Sequence, residues 1–464
     1  MTSGGFINRN YGDSDQTARN ADWSKLSPQE KKQQRFRWWL SADGIKFDSD
    51  EAKKKYKERV QRFIDVYEVR QPDRVPVSIP VGSLPAYRAN LTLRDTMYDA
   101  EKTVEAWTKF NAESGLDTFA NPGGTPSGKV FELIDMRFYN WPGRGLPNDA
   151  TDYQYVEGEY MTVDEYDDLI RDPSDFWMRV YLPRILGVFE PFRRIQPLTD
   201  FNEIVHVNSL IAPFARPDFR AALRTLMAAG KEQEKWNKTL MKYGRRGSEL
   251  GYPVSRGAFA KAPFDTIGDT LRGTRGVFMD MYRCPEKLHK AMDVMADIAI
   301  KSVITTCNAT KGLIAQFPLH KGADGWMSAK QFDTFYFPSL KKIMDALIKE
   351  GIIISLFAEG GYDTRLEKFL EFPKGSIIWL FDKSDMAHAK KVFGNHFCIS
   401  GNLPASVLNT GTPSEVKAYC RKLIETCAPG GGYILAPGNS TVEKNALPNV
   451  RAMAEAALEY GVYK

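Results

Sequence analysis

A chain of 464 residues, 43% hydrophobic and 12% aromatic, can bury a large core, and its length suits one large domain with decorations. Its formal charge of +5 is small for that length and no basic block interleaves with aromatics, so a nucleic-acid partner is not expected and anionic partners are only weakly favoured. No run of about 18 uncharged apolar residues occurs, the N-terminus lacks a signal-peptide pattern, and the five scattered cysteines form no Cys-x-x-Cys pair; the expectation is a cytoplasmic protein with no membrane helix, disulfide frame or zinc finger.

Residues 1 to about 24 are polar and aperiodic and read as a draped arm. Ser27-Pro-Gln-Glu30 is a capping pattern that opens a helix, and residues 50–67 carry apolar side chains at helical spacing, so a helical extension is expected over 1–70 and a barrel over 71–464. A first strand is expected at 74–80, a loop at 82–88, a long helix to about Glu113, and a second strand with its loop at 116–123. From about 124 to 201 the rhythm gives way to Tyr, Trp, Pro and Asp, as in Tyr139-Asn-Trp-Pro-Gly-Arg-Gly145. This is read as a large aromatic-rich insertion after the second strand, serving as a lid, a partner surface or plain packing.

After a helix near 217–243, strands are expected at 253–260, 313–319, 352–358, 376–381, 397–400 and 432–435, each followed by a helix. Counted with the first two, they make about eight βα units, the number in a TIM (β/α)8 barrel of the α/β class. Thr412-Pro-Ser-Glu415 and Ser328-Ala-Lys-Gln331 are expected to open helices, and Glu350-Gly351 to close one.

In such barrels chemistry sits just past the strand ends. There the chain places His320 and Lys321, then Glu359, Asp382 and Asn402. A histidine and two carboxylates on neighbouring strands can hold a metal ion or work as general acid and base, although each has a plainer reading: His320 as a structural histidine, Glu359 and Asp382 as helix caps. Cys398, inside a strand, reads as a buried inert thiol, and His206, His289, His388 and His396 as structural or exposed. Gly430-Gly-Gly432 precedes a strand, whereas a phosphate-cradling loop follows one, so no nucleotide loop is expected.

Three stretches resemble the uroporphyrinogen decarboxylase superfamily, which includes cobalamin-dependent methyltransferases: 262–273 (Ala-Pro-Phe-Asp-Thr-Ile-Gly-Asp-Thr-Leu-Arg-Gly) with Tyr282-Arg-Cys-Pro285, 401–408 with 411–416, and 430–438 with 449–453. The resemblance implies a TIM barrel. The decarboxylases carry an arginine-rich segment after the first strand, of which only Leu84-Pro85 and Tyr87-Arg88 remain here, so a substrate with eight carboxylates would lack its cationic partners. Thiol-alkylating relatives bind zinc through positions that match Phe357, Glu359 and Asn439, none of them a zinc ligand of that soft type.

The resemblance therefore implies a corrinoid-dependent methyltransferase moving a methyl group between a small methylated substrate, such as a methoxylated aromatic, and cobalamin, free or on a corrinoid protein. Glu359 and His320 would polarise the leaving group with Asp382 orienting them, or the three would hold zinc; Tyr87, Arg88, Lys321 and Asn402 would bind substrate or cofactor. Decarboxylation of a small acid, with Arg88, Lys321 and Asp382 gripping it, and a non-catalytic corrinoid- or tetrapyrrole-binding scaffold stay open, as does a homodimer.

Overall fold

Ser27 starts the first helix as its sequence requires: its hydroxyl accepts the Glu30 N–H and the Glu30 carboxylate takes the Ser27 N–H at 2.8 Å, capping Pro28–Ser41. The computed structural model in which this is seen describes residues 23–79, 81–122, 124–253, 257–439 and 442–463, so nearly all of the expected arm lies outside the described residues. A second helix, Asp50–Tyr67, buries Tyr56, Val60, Phe63 and Tyr67 on one face. With Phe36, that face covers Ile314, Ile353, Ile378, Cys398 and Ile434, which lie near the beginnings of five strands. The N-terminal helices thus plug the end of the sheet opposite the strand C-termini.

Arg35 fastens this plug. It is fully buried and donates to the Gly312 carbonyl at 2.6 Å, Asn308 Oδ1 at 2.7 Å and the Glu350 carbonyl at 3.0 Å. These acceptors close two helices, Pro285–Thr310 and Phe337–Lys349, whose last carbonyls have no partner within the helix.

The insertion contains a small sheet of three strands, β1 (Tyr139–Pro142), β2 (Gly145–Leu146) and β3 (Gln154–Tyr155), in the order β2-β1-β3. Around it Phe138, Tyr139, Tyr155, Tyr160 and Tyr181 meet mostly edge to face, a geometry that the ring quadrupole favours. The main sheet follows: β4 (Gly257–Phe259), β5 (Ile314–Leu319), β6 (Ile353–Ala358), β7 (Ile377–Phe381), β8 (Cys398–Ser400) and β9 (Tyr433–Ile434), all parallel and hydrogen-bonded in chain order. Helical elements lie between them, in the case of β6 and β7 a 3-10 helix, Leu366–Glu371, and the capping boxes at Ser328 and Thr412 form.

The continuous ladder spans six strands rather than the expected eight, and its closure into a barrel is not seen among the described residues. At 74–79, proline and a side chain displace the ladder. Pro76 has no N–H, Val77 gives its N–H to the Asp117 carboxylate at 3.1 Å, and only single bridges to Leu435 and Val462 remain. At 116–122, Asn111 both donates to the Ala120 carbonyl and accepts its N–H, at 2.8 and 2.9 Å, doing what a neighbouring strand would have done. The stretch expected as a loop at 82–88 instead contains a short helix, Leu84–Arg88, and the helix expected near 217–243 runs Pro217–Glu249. No helix among the described residues is long and apolar enough to cross a membrane.

Replacing Arg35 by Ala strands several buried carbonyls at about 1–3 kcal/mol each. Urea unfolding of Arg35→Ala should show a loss of at least about 3 kcal/mol; a loss within experimental error would contradict the role given to Arg35.

Candidate active site

Register places the candidate residues. Leu319 pairs with Ala358, and Ala358 with Phe381, so His320, Glu359 and Asp382 leave the sheet side by side at its C-terminal edge. His320 Nε2 lies 3.2 Å from Glu359 Oε2. The chain turns away after Glu359 at Gly360, whose φ of +94° is one that residues with a Cβ rarely adopt. Asp382 does not join the pair: its Oδ2 accepts the Gly360 N–H at 3.3 Å and so braces the turn. Nor does it cap the following helix, Met386–Phe393, since Asp385 accepts the Ala387 and His388 N–H groups there. Asn402 donates to the carbonyls of Asp382 and Ser384, tying the ends of β7 and β8 together.

Two aspartates not foreseen as site residues organise the rest. They sit on the helical segment after β4, where Pro263–Asp265 runs into a π-helical stretch, Thr266–Arg272. Asp265 is completely buried. Its carboxylate accepts the backbone N–H of His320 at 3.0 Å and of Lys321 at 2.9 Å, and the Tyr336 hydroxyl at 2.6 Å. Asp269 lies 2.6 Å from His320 Nδ1 and 2.6 Å from Lys261 Nζ, and also pairs with Lys321. The spacing of Asp265 and Asp269, four apart just past a strand, was the available sign, but any helix face shows such a spacing.

Charge then follows from placement. Burial works against a charged His320, but the bond to Asp269 and the charges of Asp265 and Asp269 outweigh it, so the imidazole stays protonated to a higher pH than usual. Burial likewise opposes charge on Asp269, yet the His320 bond and the Lys261, His320 and Lys321 charges hold it well below the usual carboxylate range. Asp265 is pushed up by its burial, with His320 opposing. For stability, His320 contributes fully below about pH 6.5 and loses that contribution as pH rises through its raised folded value. Asp269 contributes above about pH 3.9 and loses it in acid, so the pair stabilises most between those limits.

The expected binding residues divide. Lys321 is buried and neutralised by Asp269, and Tyr87 donates to the Thr151 carbonyl at the insertion. Arg88 is exposed and faces Glu113 at 3.9 Å rather than the strand ends. The insertion itself reaches the site, because the Tyr155 hydroxyl donates to the Asp269 carbonyl and the Tyr160 and Met161 N–H groups bond Leu271.

A metal at His320, Glu359 and Asp382 does not fit this arrangement. Both imidazole nitrogens are engaged by carboxylates, Asp382 is turned to Gly360, and no group of three or more His, Cys, Asp and Glu among the described residues is placed to hold an ion. What the arrangement offers is an imidazole held at Nδ1 by the Asp269 carboxylate, with Nε2 beside Glu359, which is half-exposed.

A family model described as uroporphyrinogen decarboxylase (URO-D) matches residues 228–460, half of the chain, which takes in β4 to β9 and the His320 network. Uroporphyrinogen decarboxylase from Cellvibrio japonicus (strain Ueda107) is 23% identical over 201 residues, 42% of this chain; the match spans 55% of that relative's length. Among solved structures, a methyltransferase from Methanosarcina mazei superposes with a TM-score of 0.53 at 14% identity, over 86% of this chain and 98% of that one, a likeness of fold.

The chain has five histidines, so ring-proton NMR can follow each. The His320 midpoint should lie above the ordinary histidine value of about 6.5 and should fall in Asp269→Asn. A midpoint at or below 6.5 in the unmodified chain would contradict the ion pair.

Proposed function

Because the chain belongs to the uroporphyrinogen decarboxylase family, we propose that it is an enzyme that transfers a methyl group from a small methylated oxygen compound, of the methoxylated-aromatic type, to a corrinoid acceptor. The observation that carries the reading is His320, with Nδ1 on Asp269 and Nε2 beside Glu359 at the C-terminal edge of the sheet. In cleavage of a methyl ether the O–CH3 bond breaks, the methyl group passes to the acceptor, and the bonding pair stays on oxygen. A reduced corrinoid would supply the nucleophile. The Nε2–H of His320 protonates the departing oxygen, and general acid catalysis of this kind contributes about 10²–10⁴ in rate. Glu359, reached by water, returns a proton to the imidazole, while Asp269 keeps the ring oriented and its positive charge stabilised.

Aromatic side chains beside the site suit an aryl group: Tyr155 is bonded to Asp269, and the Tyr139 ring packs against Tyr155 with centroids 5.8 Å apart. Decarboxylation of a small acid has less support, since of the cations assigned to grip the carboxylate, Arg88 faces Glu113 and Lys321 is taken by Asp269.

The test is phenol release from methoxyarenes in the presence of reduced cobalamin. His320→Ala should lower kcat/KM by about 10²–10⁴ and Glu359→Gln by less. Because the acid must be protonated, the rate should fall as pH rises through a value above about 6.5, and Asp269→Asn should move that limb to lower pH. Absence of phenol from every methoxyarene, or full activity in His320→Ala, would overturn the proposal.

A further inference from the structure

Alternate residues of a strand point to opposite faces of a sheet, and residues paired across parallel strands share a face. On one face of the main sheet Phe317, Leu356 and Trp379 are buried in the large core with the surrounding helices. The other face differs along its height. At the strand beginnings it is closed, where Ile314 and Ile353 pack under Phe36 and Phe63 of the N-terminal plug. Above them it opens: Phe259, Gln316 and Ser355 form one row across β4, β5 and β6, and Pro318, Phe357 and Leu380 the next across β5, β6 and β7. All six are partly or largely exposed, Phe259 to 48%. In a packed barrel such rows fill the interior, so partial exposure of both marks a recess leading up to the edge where His320 and Glu359 leave the sheet.

The chemistry of the recess is specific. Its upper row is apolar and its lower row places an amide and a hydroxyl side by side, since Gln316 and Ser355 are ladder partners. Neither side chain hydrogen-bonds another described residue, although an amide and a hydroxyl set among apolar rows lose free energy unless they are paired. Together they can donate to and accept from one hydroxyl group. None of the six side chains is charged, and Lys261, two residues beyond Phe259, is paired with Asp269, so a carboxylate entering the recess would find no cation. Four residues of strand, about 13 Å, separate Gln316 from His320, room for one ring with a hydrogen-bonding group at each end.

We propose, on the reading that the substrate is a methoxyarene, that Gln316 and Ser355 form a subsite for an uncharged second oxygen at the far end of the ring, so that the preferred substrates are methoxylated phenols. Phe357 and Phe259 would flank the ring. Calorimetric titration of the full chain should show 4-methoxyphenol binding about tenfold or more tighter than anisole, which lacks the second oxygen. Binding of 4-methoxybenzoate should be no tighter than that of anisole. Gln316→Met should bring the ratio of 4-methoxyphenol to anisole affinity to about one, and Ser355→Ala should lower it. If Gln316→Met does not fold, Ser355→Ala and the comparison of ligands on the unmodified chain still decide. Because no corrinoid is added, selective binding of 4-methoxyphenol without any methyl transfer would support the subsite and contradict the reaction proposed above. Equal binding of anisole, no binding of 4-methoxyphenol, tightest binding of 4-methoxybenzoate, or a ratio unchanged in both variants would each overturn the proposal.

Discussion

The site depends on one buried carboxylate. Asp265 has no exposure to solvent and binds two consecutive backbone N–H groups, those of His320 and Lys321, where the chain leaves β5. Those groups lie beyond the last ladder pair, so without Asp265 they would be buried donors lacking acceptors. Tyr336, donating from a neighbouring helical segment, holds the carboxylate in turn. The direction of the His320 ring is thus set by main-chain hydrogen bonds made by a residue 55 positions earlier, and not by the His320 side chain's own contacts alone.

Given that placement, the electrostatics follow. Asp269 lies one turn further along the same helical segment and gathers three cationic groups, Lys261, Lys321 and His320, around one carboxylate. Such a cluster keeps both lysines from acting as free anion-binding groups and leaves the imidazole's outer nitrogen beside Glu359. The insertion covers the same segment: Arg272 bonds Asp280 and pairs with Glu159, and the Thr274 N–H bonds Glu157. Changes in the insertion can therefore reach Asp269 through its own helix, without touching the sheet.

At the other end, the plug of N-terminal helices leaves the strand beginnings dry and the strand ends free. Parallel strands hydrogen-bonded in chain order deliver their C-terminal residues to one edge, and a plug at the opposite end makes that edge the accessible one. The charged residues at the two ends form separate sets: Arg35 at the plug, and His320, Glu359 and Lys321 at the strand ends.

Much of this was legible in order of residues. Apolar runs bounded by Gly and Pro marked six parallel strands to within a few residues, the Ser27, Ser328 and Thr412 patterns marked helix starts, and the residues after the strands marked His320 and Glu359, because strand period and capping chemistry are local properties. The two N-terminal strands were misread since Pro76, Asp117 and Asn111 redirect backbone hydrogen bonds, an effect of partners rather than of propensity. Asp265 and Asp269 were passed over, Arg88 and Asp382 face Glu113 and Gly360 rather than His320, and the partners of His320 were unreadable. Which side chain faces which depends on bringing together segments fifty or more residues apart, and burial, which sets both the cost of a charge and the strength of its pairing, exists only once the tertiary structure has formed.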